Sequence, residues 1–299
     1  MPGATENRAA VDSSSWWVRL LAAVPLPALY SVSSVLTFVV ARIFPYRSHV
    51  VRPGLRTAFP DLSSGARRDI ARRFYASYSD VLVEIVKSVG LSASELCERV
   101  KFINLDFAQE YLRQQRPVLL LAGHQCNWEW MLLALSLQLG WPLDAAYKPL
   151  VNPWAEREMR ALRCRFGARL VQSQQLLADI MRRRNVPRAI AMVADQEPVN
   201  SEQKHWTRFL NRDSAFFLGA EQVSRTMRYP ALFMTMRRTA RGHYEIGFEL
   251  LADPNVETLA PGEFTDRYVR CVETQIQAAP ADWPWSHKRW RLRKPLYGS

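Results

Sequence analysis

A chain of 299 residues, 48% hydrophobic and free of repeats or low-complexity tracts, is a globular protein with room for one large core or two small ones. Its formal net charge of +12 asks for an anionic partner: nucleic acid, acidic lipid or a phosphorylated substrate. Cys97, Cys126, Cys164 and Cys271 lie far apart and form no CxxC pair, which argues against a zinc site or a disulfide framework and fits a reducing compartment.

Residues 1–15 are small and polar and read as a disordered tail. Residues 16–47 read as a membrane-associated hydrophobic segment. Within it, Leu20–Val40 approaches the ~20 apolar residues that cross a bilayer, although Pro25 and Pro27 interrupt it. A helix lying in the interface plane is the alternative. Arg42, Arg47, Arg52 and Arg56 follow the segment, whereas only Arg8 and Arg19 precede it. That bias would put the bulk of the chain on the cytoplasmic side of a membrane. Ten tryptophans in a basic chain also suit a membrane interface. No small-residue cleavage site marks a signal peptide.

Residues 48–299 read as one α/β domain with a central mixed sheet flanked by helices. Phe59-Pro60-Asp61-Leu62-Ser63 is a turn into a helix over Ser64–Val89, and a shorter helix follows Ser92. From there strands and helices alternate. Strands are predicted over Val118–Ala122, Leu143–Tyr147, Ala168–Val171, Ala189–Ala194, Ala231–Arg237 and Tyr244–Leu250. Helices are predicted over Trp128–Leu139, Ala155–Phe166, Gln175–Arg184, Phe217–Met227 and Phe264–Ala278.

The stretch VLLLAGHQCNWEWMLL, Val118–Leu133, carries the chemistry. A buried strand ends in Gly123-His124; the glycine permits a sharp turn, Asn127 caps the next helix, and Glu129 lies in its first turn. Inside one helix, ~100° per residue would put His124 and Glu129 on nearly opposite sides; a chain break lets them converge. A histidine backed by a carboxylate is a general-base arrangement. A buried histidine beside a capping carboxylate fits this stretch equally well. Asp195-Gln196-Glu197-Pro198 ends the Ala189–Ala194 strand, so two more carboxylates fall at a strand's carboxyl end, where open α/β sheets place ligands. After Tyr147-Lys148-Pro149 and Asn152-Pro153 come Arg160, Arg163 and Arg165, each either a solvated cation or a phosphate contact.

Trp283-Pro-Trp-Ser-His-Lys-Arg-Trp290 interleaves indoles and cations, as a nucleic-acid stacking platform or a membrane anchor would. His287 reads as structural, and His49, His205 and His243 have no evident carboxylate partner. Cys126 adjoins the loop but lacks an orienting triad.

In order, these residues resemble the lipid A biosynthesis acyltransferases, the lauroyl/myristoyl transferase group of the lysophospholipid acyltransferase superfamily. The resemblance rests on His124-x4-Glu129, Phe59-Pro60, Tyr147-Lys-Pro, Asn152-Pro, Arg163 ahead of Gly167, Asp195-Gln-Glu-Pro and the terminal Pro-x-x-Trp-x-Trp-x-His-x-Arg-Trp, and it runs from Leu20 to Arg291. Lys148 stands where arginine is common, and Asn211 where glycine is usual. The resemblance implies acyl transfer from an acyl carrier protein or coenzyme A thioester to a hydroxyl of a membrane lipid, with no metal, no other cofactor and no nucleic acid. His124 would be the general base and Glu129 its orienting carboxylate. Asp195 would be the later acidic residue, with Glu197 an alternative relay partner. Asn127, Lys148, Arg163 and Arg165 would bind substrate, with Arg163 near a phosphate or the oxyanion. A hydrolase using the same pair on water, or a non-catalytic basic membrane-binding protein, would keep the same pattern.

Overall fold

The computed structural model describes residues 14–43, 46–199 and 203–294. The expected tail therefore lies outside the described residues as far as residue 13, with Arg8, as does the side chain of Arg42.

The hydrophobic segment folds as two helices. α1 (Trp16–Ala23) and α2 (Leu26–Phe38, prolonged by a π-helical turn, Val39–Ile43) meet at Val24-Pro25 and bend through 104°. Val24, ahead of proline, takes an extended conformation (φ −61°, ψ 134°), which ends α1. No single helix among the described residues is long and apolar enough to cross a membrane. One side of the pair (Val18, Ala22, Leu26, Leu29) is buried, while Trp16, Leu20, Val32, Val35 and Phe38 face outward.

The inward side packs on α4 (Ser64–Lys87), which follows α3 (Ser48–Ala58). Ser63 caps α4 by accepting from the Ala66 N–H. Polar contacts reinforce the packing: Ser33 Oγ donates to Asp80 (2.5 Å), Tyr30 Oη to Glu84 (2.8 Å), and Lys87 Nζ to the Ala22 and Val24 carbonyls. α5 (Ala93–Arg99) starts in a Ser92–Glu95 capping box. Strand β1 (Val100–Phe102) and helix α6 (Leu105–Arg113) follow.

The remaining sheet strands are β2 (Val118–Ala122), β3 (Leu143–Tyr147), β4 (Arg169–Gln172), β5 (Ala189–Val193), β8 (Ala231–Ala240) and β9 (His243–Ala252). Their order is β1-β9-β8-β2-β5-β3-β4. All pairings are parallel except β8 with β9. The intervening helices are α7 (Trp128–Gln138), α8 (Pro153–Cys164), α9 (Leu176–Arg182), α10 (Gly219–Met227) and α11 (Glu263–Ala278). Each of the eleven elements predicted from Val118 onward is present, displaced by a few residues at most. β2 is central and wholly buried. Val118, Leu120 and Ala122 face a core with α1, α2 and α5–α8; Leu119 and Leu121 face a second core with α3, α4 and α9–α11. Because β2, β5 and β3 run parallel side by side, their carboxyl ends share one edge. The chain after β2 and the chain after β5 therefore emerge together, which is the crevice that open α/β sheets use.

Between β5 and α10 the chain forms a hairpin, β6 (Lys204–Phe209) with β7 (Arg212–Phe217). Its two turn residues, Leu210 and Asn211, have φ of 50° and 63°. Two-residue hairpins require such values, and glycine or asparagine meets them at least cost. That accounts for asparagine where the resemblance expects glycine. Alanine at 211 would keep the strained φ and lose the Asn211 amide's hydrogen bonds to the Thr57 and Ala58 carbonyls. We expect Asn211→Ala to destabilise by about 1–2 kcal/mol in urea unfolding; an unchanged midpoint would refute this account.

Candidate active site

The loop from β2 to α7 presents His124. Its left-handed residue is Cys126 (φ 54°) rather than Gly123, so the sharp turn assigned to the glycine falls three residues later. A non-glycine residue in this region is uncommon and costs energy. The turn is pinned by the Cys126 N–H donating to the Asp282 carbonyl (2.9 Å). Asn127 caps α7 by accepting from the Trp130 N–H (3.0 Å). Burial pushes the Cys126 thiol well above its ordinary value, so it lacks the thiolate that a nucleophile needs.

The partner of His124 is Asp195, the second residue after β5. His124 Nδ1 lies 2.5 Å from Asp195 Oδ1, and the His124 backbone N–H donates to Oδ2 (3.1 Å). Trp283 Nε1 also donates to Oδ2 (2.8 Å). Asp195 is 1% exposed. Burial alone would raise its pKa, but His124 and the Trp283 and backbone donors outweigh burial and hold it at about 2. An anionic acceptor there fixes the proton on Nδ1 and leaves Nε2 unprotonated, as a general base requires. Nε2 faces the Gln196 amide at 3.2 Å. Trp128 packs edge-on against the imidazole, with centroids 5.1 Å apart.

Glu129 does not supply the carboxylate on His124 Nδ1. Arg163, at the end of α8, holds it through two bonds, Nε to Oε2 (2.9 Å) and Nη2 to Oε1 (2.6 Å). Trp128 Nε1 also donates to Oε1 (3.1 Å). Glu129 sits one residue into α7 and points towards α8, a neighbour that the spacing from His124 could not reveal. Trp128 lies between the two pairs, touching His124 through its ring and Glu129 through its N–H.

Glu197 is not a relay to His124 either. It accepts from the backbone N–H groups of Arg291 (3.0 Å) and Leu292 (2.8 Å), fastening the terminal segment. The guanidinium of Arg165 donates to the Ser88 carbonyl and lies over Phe166. Lys148 is exposed on the loop after β3, on the same sheet edge as His124.

The terminal Trp–cation stretch forms neither a stacking platform nor an exposed anchor. Trp283, Trp285 and Arg289 are at most 2% exposed. Arg289 Nε donates to the Asp195 carbonyl (2.7 Å) and Nη2 to the Ala215 carbonyl (2.6 Å), while Trp290 Nε1 donates to Ser214 (2.9 Å). The segment clamps the Asp195 turn against the β6–β7 hairpin. His205, read as unpartnered, faces Asp266 at 3.0 Å, remote in sequence on α11.

The Asp195 interaction predicts acid sensitivity. Unfolded, an aspartate titrates near its ordinary value of about 4; folded, Asp195 titrates at about 2. Its contribution to stability is therefore complete above about pH 4 and is lost as the pH falls through that window. Urea melts should lose about 2–3 kcal/mol from this group across it. An Asp195→Asn protein with the same acid slope would rule this out.

A buried aspartate paired with an imidazole, and an ion pair beside it, all stand at the carboxyl edge of a parallel sheet, where α/β proteins place their ligands. The sequence profile of the bacterial lipid A biosynthesis acyltransferase family matches residues 14–292, nearly the whole chain. The protein belongs to that family and is an acyltransferase. No curated protein sequence matches it significantly.

Proposed function

We propose that this protein transfers a fatty acyl chain from a thioester, on acyl carrier protein or coenzyme A, to a hydroxyl of a lipid A precursor or related glycolipid at the inner membrane. The observation that carries this reading is the His124–Asp195 pair, which holds a proton on Nδ1 and leaves Nε2 as the accepting nitrogen. The acceptor hydroxyl displaces Gln196 from Nε2 and gives up its proton as its oxygen attacks the thioester carbonyl. The tetrahedral oxyanion collapses, the C–S bond breaks, and the imidazolium returns the proton to the leaving thiolate. A thioester is already activated, so no acyl-enzyme is needed. General-base assistance supplies roughly 10²–10⁴-fold.

In this reading Arg163, anchored by Glu129, directs positive charge towards the oxyanion or an acceptor phosphate. Arg165 and Lys148 extend the basic rim, and both suit acidic substrates. The outward residues Trp16, Leu20, Val32, Val35 and Phe38 support docking of α1 and α2 in the membrane interface.

Lipid mass spectrometry of cells expressing wild type or His124→Ala tests the proposal. One lipid class should gain an acyl mass with wild type alone. Release of free fatty acid with no acylated lipid would replace transfer by hydrolysis. Identical profiles, with the native gene deleted as background, would refute both.

A further inference from the structure

Glu84 lies in the last turn of α4 with no exposed surface. Three donors converge on its carboxylate: Tyr30 Oη on Oε1 (2.8 Å), Asn127 Nδ2 on Oε2 (2.8 Å) and Tyr244 Oη on Oε2 (2.7 Å). Its backbone carbonyl accepts from Trp130 Nε1 (3.2 Å). One residue thus grips α7 twice, at its cap and in its first turn. A buried carboxylate satisfied by neutral donors is costly, and a side chain without acceptor oxygens would strand the Asn127 amide and the Tyr244 hydroxyl inside the protein. The site therefore specifies an acceptor facing Asn127 and Tyr244, which packing alone would not require.

The three donors come from different parts of the molecule. Asn127 ends the His124 loop and Tyr244 belongs to β9. Tyr30 belongs to α2, whose opposite side carries the exposed Val32, Val35 and Phe38. Asn127 has no slack, because its Oδ1 caps Trp130 while its Nδ2 is held by Glu84. Next to it, Cys126 has a positive φ, which surrounding contacts must maintain.

We propose that Glu84 is a positioning residue. It sets the His124–Asn127 loop through Asn127, and through Tyr30 it makes the outward-facing helix α2 part of the catalytic framework as well as a docking element. This rests on the acyl-transfer reading of His124. Ser33 provides the comparison: it joins α2 to the same helix through Asp80, which Arg241 also holds, but neither residue touches the loop.

Full-length Glu84→Met, Tyr30→Phe and Ser33→Ala proteins in detergent micelles, with a dispersed acceptor lipid, test this. The readouts are kcat and KM for the acyl thioester, and hydrogen–deuterium exchange of the 123–132 peptide. Glu84→Met, which leaves Asn127 Nδ2 without its acceptor, should lower kcat by about 10²-fold, as a misplacement of about 1 Å does, with KM unchanged and faster exchange in the peptide. Tyr30→Phe should act in the same direction to a smaller extent, and Ser33→Ala should do neither. Unchanged loop exchange in Glu84→Met overturns the proposal, as does a Ser33→Ala effect equal to that of Tyr30→Phe. Should Glu84→Met not fold, Tyr30→Phe against Ser33→Ala decides. If wild type transfers no acyl group, the acyl-transfer reading fails, while the exchange data still decide whether Glu84 positions the loop.

Discussion

Asparagine at position 195 should lower the acyl-transfer rate by about 10³–10⁴-fold, the scale seen when a histidine loses its anionic Nδ1 acceptor. The side-chain volume is kept, and so are the carbonyl contacts to Arg289. What changes is the proton. Asp195 is an acceptor at both oxygens, taking His124 Nδ1–H on one and the Trp283 and His124 backbone N–H groups on the other. Oδ2 already receives two donors, so an asparagine keeps its oxygen there and turns its NH₂ towards Nδ1. The imidazole then accepts at Nδ1 and carries its proton on Nε2, the tautomer that cannot act as a base. The loss should fall on kcat, with KM for the thioester nearly constant, because Asp195 is buried and cannot touch substrate. Glu197→Gln, by contrast, removes an acceptor for the backbone of Arg291 and Leu292 and should change the rate far less. Steady-state kinetics on the purified variants give the answer. A tenfold-or-smaller loss in Asp195→Asn would show that Asp195 does not set the imidazole.

The predicted roles of Asp195 and Glu129 divide along the line between local and long-range information. Val118–Ala122 and Ala189–Val193 are continuous apolar runs, so the strands and their carboxyl ends could be read from the sequence, and His124 and Asp195 with them. Whether β2 and β5 are neighbours is a property of strand order, which no local pattern encodes; their adjacency brings Asp195 to Nδ1. Glu129 is close to His124 in sequence, but a helical N-terminus aims it at α8, where Arg163 waits 34 residues on. The terminal tryptophans looked like an exposed amphipathic segment because indoles alternate with cations. The cations turn out to serve carbonyls: Arg289 is buried over Phe216 and bonded to two backbone oxygens. The β6–β7 hairpin escaped notice because its residues alternate without a clear apolar face and its turn is Leu-Asn, a weaker signal than Asn-Gly. Proline at 25 was visible, but a 104° bend was not.

The Glu129–Arg163 pair yields the second large effect, this time on stability. Glu129 is 4% exposed at its side chain and Arg163 19%, and they are joined by two charge-assisted bonds. Arg163→Met leaves a buried carboxylate with, among the described residues, only the Trp128 indole as donor; Glu129→Gln leaves a half-satisfied guanidinium. Each single change should cost about 3–5 kcal/mol, because the abandoned charge remains desolvated. The double variant removes both charges and should recover most of that loss, since a buried pair gains little over a neutral one of similar shape. Urea unfolding of the four proteins closes the cycle. The kinetic outcome should separate from this. If Arg163 meets the oxyanion or an acceptor phosphate, the double variant regains its folding free energy but not its rate, since the guanidinium that would stabilise that charge is gone. Recovery of both stability and rate would make the pair a purely structural brace between α7 and α8. Additive losses in stability would show that the two side chains do not interact in solution as their geometry requires. The reason to expect stability without rate is positional. Trp128 touches both the imidazole and Glu129, so the guanidinium is held one side chain away from His124, at the strand-end crevice that α/β sheets use for their ligands.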